Sequence, residues 1–273
     1  MTAWLRTLAA VTFDFGNTLV PVGRADLRRA VELTVDVVVG RTAGGRAVFS
    51  RDAFLAVWAE ERERQFAEEV PAFREVDIAQ RFGRVFARLR GLAAPPADDR
   101  WDDTAAAAYS DAEEIRAAVD AYIECFVAAM PRPTEVGPLL ARLAPRFRLA
   151  ILSNWPLAAT IDRYVETVGW APYLAAVVVS QRVGTIKPHP AIFRATEAAL
   201  GGIAPAAILH VGDDWASDVV GAKRAGWHAA YLHGRPADSP LPGSVRGREV
   251  DPDLELARLT DLEAFLNGAR RSA

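Results

Sequence analysis

The sequence predicts an α/β protein, a doubly wound parallel sheet whose first strand is separated from the others by an all-helical insert. Three observations carry that expectation. From Phe147 to Leu232 short apolar runs alternate with helical patterns, which is the mark of βαβ units and a parallel sheet. A strand pattern, Val11–Leu19, stands alone far upstream. The residues between Leu19 and Met130 read almost wholly as helix, without an internal repeat.

The chain has 273 residues, enough for one large domain or two smaller ones, and 51% of them are hydrophobic, so a sizeable core is available. The formal net charge of -3 and the lack of a basic stripe argue against nucleic-acid binding. Cys125 is the single cysteine, which excludes an internal disulfide or a cysteine metal cluster and suits a reducing, cytoplasmic setting. Trp4–Val11 is apolar, but it is too short to span a membrane and Arg6 interrupts it. It leads straight into Asp14 rather than to a small-residue cleavage site, so it reads as the approach to the first strand, and no membrane partner is expected.

In the first strand Val11 and Phe13 suit burial, and Asp14 falls where an apolar residue is expected. Gly16-Asn17-Thr18 then turn the chain. Ala25–Val39 reads as helix, although VDVVV suits a strand equally, and Gly40–Gly45 reads as a loop. Ser50 is a candidate N-cap for a helix through Phe54, Leu55, Trp58 and Glu61–Arg64. Asp77–Leu89 lines up Ile78, Phe82, Val85, Phe86 and Leu89 on one stripe. Pro95-Pro96 and the acidic, Ala-rich Asp98–Ala108 read as a break, and Ser110 with Glu113 as a capping box for the helix through Val127. Beyond Pro131 and Pro133, Val136–Leu143 is a helix and Phe147–Leu152 a strand running into Ser153-Asn154. Ala158–Val168 is a helix closed by Gly169, Tyr173–Ser180 a strand, and Pro190–Leu200 a helix ended by Gly201-Gly202. Ala207–Val211 is a strand running into Gly212-Asp213-Asp214. Ser217–Ala225 is helical and Ala229–Leu232 a strand. Gly234–Val250 reads as an exposed loop, and Leu254–Leu266 as a last strand and helix.

Parallel strands would bring Asp14, Ser153-Asn154 and Asp213-Asp214 to one edge, where open α/β sheets bind ligands. Asp14, Asp213 and Asp218 offer hard oxygen ligands suited to Mg²⁺. Ser153 and Asn154 can donate to a phosphate. Lys187, in GTIKPHP between Gly184, Pro188 and Pro190, could neutralise a nucleophile and a transferring phosphoryl group. An aspartate, Mg²⁺ and a lysine suffice for an aspartyl-phosphate intermediate.

FDFGNTL, ILSN, GTIKPHPAIF and HVGDDWASDVVGAKRAG resemble, in order, the four motifs of the haloacid dehalogenase (HAD) superfamily, in its subfamily with a helical cap inserted after the first motif. The likeness covers Val11–Leu19 and roughly Pro133–Leu232. It implies a Rossmann-like core, residues 1–20 and 133–273, and a helical cap, residues 21–132, that closes over the active site. Carried over by position, it makes Asp14 the nucleophile, Ser153 a phosphate binder and Lys187 the bridging cation. Asp213 and Asp218 become the metal-site acids beside Asp14, the Gly16 carbonyl becomes a further metal ligand, and Thr18 and Asn154 contact substrate. The implied activity is Mg²⁺-dependent hydrolysis of a small phosphorylated metabolite. One position departs: the family's phosphatases usually carry a second aspartate two residues after the nucleophile, as general acid and base, and here that residue is Gly16.

Two other functions compete. A non-catalytic relative would bind a phosphometabolite or a protein partner, with Gly16 marking lost chemistry. A 2-haloacid dehalogenase would work without metal, and the retained Asp213 and Asp218 argue against it. His189 and His210 read as packing or loop histidines, Trp155 and Trp215 as pocket-mouth or packing residues, and Asp214 as a cap.

Overall fold

The structure, a computed structural model, describes residues 3–42 and 49–271. The chain divides into two compact units, Met1–Arg24 with Pro131–Ala273, and Ala25–Met130.

The first unit is built on six strands, β1 (Ala10–Phe13), β2 (Arg148–Ser153), β3 (Ala176–Val179), β4 (Ile208–Gly212), β5 (His228–Leu232) and β6 (Leu254–Leu256). Their order is β3-β2-β1-β4-β5-β6, and every pairing is parallel. β1 lies at the centre, with Phe13 in register with Ile151 on one side and Val211 on the other. All of β1 is buried, as a strand covered on both faces requires, which is why it reads as a continuous apolar run. The chain leaves β1 towards β2 on one side and β4 on the other, so the strand order reverses at Asp14 and opens the crevice where such sheets take ligands.

The second unit is helical: α1 (Arg24–Thr42), α2 (Arg51–Glu69), α3 (Ile78–Leu89), α4 (Asp103–Ala107) and α5 (Ala112–Ala129). VDVVV is helical because Val35 and Val38, three apart, are buried while Val37 is exposed. Residues 40–42 of the expected loop continue α1, and 43–45 lie outside the described residues. Ser50 caps α2, accepting from the Ala53 amide at 3.4 Å, and Asp77 caps α3, accepting from the Gln80 amide at 3.0 Å. Phe54, Trp58, Phe82, Phe86, Tyr122 and Phe126 form the aromatic interior, with Trp58 and Phe82 centred 4.8 Å apart.

Two expectations here are corrected. The cap of α5 is Asp111, whose carboxylate takes the Glu114 amide at 2.6 Å, while the Ser110 hydroxyl accepts from Arg90 at 3.1 Å. Within the expected break at 98–108, Asp102 takes the Thr104 and Ala105 amides and starts α4.

The first unit continues with α6 (Val136–Leu143), α7 (Ala158–Thr167), α8 (Ser180–Val183) and α9 (Pro190–Ala199). The strand expected over Tyr173–Ser180 is shorter, because Pro172 sits in a 3₁₀ turn and Ser180 opens α8. Ser217–Ala225 resolves into a π-helical turn, Trp215–Val220, then α10 (Gly221–Arg224). The chain ends in α11 (Asp261–Arg271). Among the described residues, no helix is long and apolar enough to cross a membrane.

Candidate active site

Asp14 follows β1, its amide donating to the Val211 carbonyl at 2.9 Å, so the strand ladder aims the residue out of the sheet edge. The turn after it needs Asn17 in the left-handed region, φ 60°, which asparagine tolerates and most side chains do not. The Asn17 amide donates to the Val20 carbonyl at 2.7 Å and its side-chain oxygen accepts from the Val22 amide at 3.2 Å, closing the loop on itself.

Lys187 joins the three strand ends. Its ammonium, 2% exposed as a residue, donates to Asp14 Oδ1 at 2.8 Å, to Asp218 Oδ1 at 2.6 Å and to the Leu152 carbonyl at 2.9 Å. Burial pulls its pKa down, but Asp14 and Asp218 more than offset this and raise it. Asn154 fixes its main chain: the Lys187 amide donates to Asn154 Oδ1 at 2.6 Å, and Asn154 Nδ2 donates to the Lys187 carbonyl at 3.0 Å. Asn154 therefore holds the lysine loop with both ends of its amide, where the sequence suggested a substrate contact.

Asp213 and Asp218 arrive from the loop after β4. The π-helical turn swings Asp218 back over Gly212, where an added Cβ would lie 2.2 Å from Asp218 Oδ2, so that position admits only glycine. The Asp214 amide donates to Asp218 Oδ2 at 2.9 Å. Asp214 caps the turn, accepting from the Ser217 amide at 2.8 Å. Burial, then the charges of Asp14 and Asp218, push the Asp213 carboxyl up to about 8. Burial also dominates at Asp14 and raises its pKa against the pull of Lys187. At Asp218 burial acts the same way, but Lys187 and His210 prevail and hold it below the usual carboxylate range.

His210 is fully buried, with Nε2 at 3.0 Å from Asp218 Oδ1 and Nδ1 at 2.8 Å from Thr12 Oγ1. Burial lowers its pKa. A neutral ring donating from Nε2 to the carboxylate and accepting at Nδ1 from the Thr12 hydroxyl satisfies all three groups. His210 is thus a second buried brace on Asp218. The sequence reading gave it no role, because inside a strand a buried histidine reads as packing until its partners are known.

Asp14, Asp213 and Asp218 each turn a carboxylate oxygen to one place, all within 4.8 Å of one another. Oxygen donors from three carboxyl groups fit a small hard cation, whose charge would favour their ionised forms. The Thr18 hydroxyl donates to Asp213 Oδ1 at 3.4 Å. Ser153, 1% exposed, has a hydroxyl with no hydrogen-bond partner, an idle donor where a ligand oxygen would satisfy it. Gly16 stands beside this group among the apolar atoms of Leu241, Trp155 and Val22.

Two more residues belong to the site that sequence reasoning missed. Arg235, in the segment after β5, donates to Asp213 Oδ2 at 3.3 Å and to the carbonyls of Pro242, at 2.9 Å, and Leu241. Ser239 meets the motif loop through Asn17 Nδ2 at 3.0 Å. Neither lies in a sequence pattern that marks it. Trp215 is packed against Tyr231 and beneath Arg246, and Trp155 is buried with its Nε1 donating to Thr160 at 3.0 Å.

A family model described as haloacid dehalogenase-like hydrolase matches residues 8–226. A mouse haloacid dehalogenase-like hydrolase domain-containing protein 3 is 34% identical over 125 residues, 43% of this chain and 47% of that protein. A phosphoserine phosphatase from Thermus thermophilus is 34% identical over 135 residues, 48% of this chain and 50% of that protein. The matches thus span about half the length of these relatives. Among solved structures, a 2-haloacid dehalogenase from Pseudomonas syringae superposes with a TM-score of 0.65 at 23% identity, covering 96% of this chain and 99% of that one, a likeness of fold.

Proposed function

The chain belongs to the haloacid dehalogenase-like hydrolases, and we propose that within that family it is a Mg²⁺-dependent phosphatase acting on small phosphate monoesters through a phosphorylated Asp14. The observation that carries this reading is the convergence of Asp14, Asp213 and Asp218 beside Lys187 and the idle Ser153 hydroxyl. Phosphatases among the relatives support it.

The cation would be held by Asp14, Asp213, Asp218 and the Gly16 carbonyl, and would supply charge neutralisation for a transferring phosphoryl group. Asp14 attacks phosphorus through the oxygen that does not serve Lys187. An Asp14 O–P bond forms, the ester P–O bond breaks, and the leaving oxygen departs with the electron pair. Water then attacks the phosphorus of phospho-Asp14 and returns the carboxylate and inorganic phosphate. Lys187 holds the Asp14 carboxylate at 2.8 Å in one orientation, and its charge faces the phosphoryl oxygens. Ser153 donates to one of those oxygens, and Thr18 orients Asp213. Asn154 and His210 position Lys187 and Asp218 without touching substrate.

Gly16 brings no proton to the leaving oxygen. A general acid typically contributes 10²–10⁴-fold, on the order of 3–5 kcal/mol, and matters most for an alkoxide leaving group. Aryl and acyl phosphates are therefore the favoured class. The test is release of inorganic phosphate from a panel of alkyl, aryl and acyl phosphates, with Mg²⁺ and after EDTA treatment. We expect Mg²⁺-dependent release, faster from aryl and acyl esters. Full rates in EDTA would remove the metal from the proposal, and halide release from 2-haloacids without phosphatase activity would replace it with dehalogenation.

A further inference from the structure

The segment from Gly234 to Ser244, which the sequence presents as an exposed loop, is fastened to the candidate site at several points. Arg235 binds Asp213 at 3.3 Å and, by its other nitrogen, the Leu241 and Pro242 carbonyls, so one guanidinium ties the segment's fold to a site acid. Ser239 accepts from Asn17 Nδ2 at 3.0 Å. Ser244 donates to Asp214 Oδ2 from its amide at 2.6 Å and from its hydroxyl at 3.0 Å. These bonds span the loops after β1 and β4 and bring Leu241 down beside Gly16.

An ideal Cβ on Gly16 would lie 2.5 Å from Leu241 Cδ1, 3.4 Å from Trp155 Cζ3 and 3.9 Å from Val22 Cγ2. Gly16 is absent from the positive-φ glycines, so its backbone does not demand glycine. The Leu241 methyl, the end of a flexible side chain, would have to shift to admit a side chain at position 16. The three atoms nearest to an added Cβ are all apolar, so a side chain at position 16 would start out against a leucine, a tryptophan ring and a valine.

We propose that Leu241 is a specificity-determining residue: its methyl occupies the space beside Gly16 that an acid would need and gives the site an apolar wall that accepts planar, apolar leaving groups. The inference rests on the phosphatase reading and deepens it, narrowing the favoured class to aryl phosphates. Arg235 is the positioning residue that holds the Leu241 backbone in place.

The test is a double-mutant cycle on the full chain, Gly16→Ala with Leu241→Ala for stability, and Gly16→Asp with Leu241→Ala for selectivity. In urea unfolding, Gly16→Ala should lower the midpoint in the wild-type background and lower it at most half as much beside Leu241→Ala. Hydrolysis of an alkyl phosphate relative to p-nitrophenyl phosphate should rise by about tenfold or more only in Gly16→Asp/Leu241→Ala, where an acid can enter. Additive midpoint shifts overturn the placement of Leu241 whatever the esters do. Coupled midpoints with an unchanged ester ratio in the pair overturn its part in selection. A wild type that hydrolyses no phosphate ester, with coupled midpoints, overturns the phosphatase reading and the selection built on it, and leaves the packing of Leu241 against Gly16 standing.

Discussion

The helical unit and the sheet edge both bury charged side chains, and the two sets differ in how they are balanced. In the helical unit Arg84, with 3% of its side chain exposed, meets Glu68 at 2.8 Å and Asp103 at 2.7 Å. Arg88 meets Glu61 at 2.9 Å and Glu60 at 2.6 Å, and Glu61 also takes the Trp101 Nε1–H at 2.9 Å. Arg81 binds Gln65 at 2.9 Å and lies over the Trp58 ring. Arg64 lies 3.8 Å from Glu68, so each of the acids 60, 61, 68 and 103 is paired with one of the arginines 64, 84 and 88. At the sheet edge Asp14, Asp213 and Asp218 converge on one place beside Lys187 and Arg235, burial and the other two acids push the Asp213 carboxyl up to about 8, and the Ser153 hydroxyl is idle. A balanced network ties helices together. Acids that converge on one place and push one another's pKa up, beside an idle hydroxyl, are arranged for a ligand that the chain does not itself supply.

The difference can be broken first at Asp14. Asp14→Asn removes the nucleophile and leaves a side chain of the same shape, so phosphate release should fall by roughly 10⁴-fold or more. The unfolding midpoint should stay near wild type, because Lys187 keeps Asp218 at 2.6 Å. Retained turnover would end the covalent reading.

Arg84→Met is the counterpart in the helical unit. It leaves Glu68 with only the longer contact to Arg64, at 3.8 Å, and removing one partner of a buried pair costs up to about 3–5 kcal/mol. Urea unfolding should show that loss. A change below about 1 kcal/mol would mean that the network is solvated like a surface pair.

Ser153→Ala sharpens the contrast, since stability and ligand binding should move in opposite directions. The hydroxyl makes no hydrogen bond in the ligand-free protein, so its loss should be neutral or stabilising by about 1 kcal/mol. A hydrogen bond to a charged oxygen is worth about 1.5–3 kcal/mol, so inorganic phosphate should bind roughly 10–100-fold more weakly. Calorimetric titration with phosphate in Mg²⁺ reads the second effect. Loss of stability with unchanged phosphate affinity would make Ser153 an ordinary core hydroxyl.

Most of the sheet edge was legible because its residues sit at the ends of apolar runs, where a strand's period makes Asp14, Ser153 and Asp213 stand out. Lys187 was legible from its Gly and Pro setting and the company of the acids. His210 was hidden inside a strand, AILHV, where a buried histidine reads as packing until its partners Thr12 and Asp218 are known. Asn154 was read as a substrate donor because Ser-Asn after a strand suits a phosphate, yet Lys187's main chain, distant in sequence, takes it up. Arg235 and Leu241 could not be found at all, since a loop without periodicity gives no signal for where its side chains go. The Ser110 capping box failed for a local reason: Asp111 offers a stronger acceptor one residue later.

The smallest predicted effect tests whether charge pairs elsewhere in the sheet unit behave like the balanced set. Asp253, before β6, accepts from Lys223 Nζ at 2.8 Å and from the Ala229 amide at 2.9 Å, and so anchors the sheet's last strand. Burial acts to raise its pKa, but the bonds from Lys223, Ala229 and His228 prevail and hold it below the ordinary carboxylate value of 3.8. A carboxylate depressed on folding contributes stability that is fully present above its unfolded pKa and is lost as pH falls through the folded value. Asp253 should therefore stabilise the protein at pH 7 and stop doing so in the acid range below 3.8. Its Lys223 partner is partly open to solvent screening, with 28% of the side chain exposed, so the contribution is less than about 1 kcal/mol. Asp253→Asn should lower the urea midpoint slightly at pH 7 in low salt, and the gap from wild type should close at pH 3 and narrow in 1 M salt. A gap that persists at pH 3 would assign the stabilisation to the Ala229 amide bond and to packing, since neither depends on the charge.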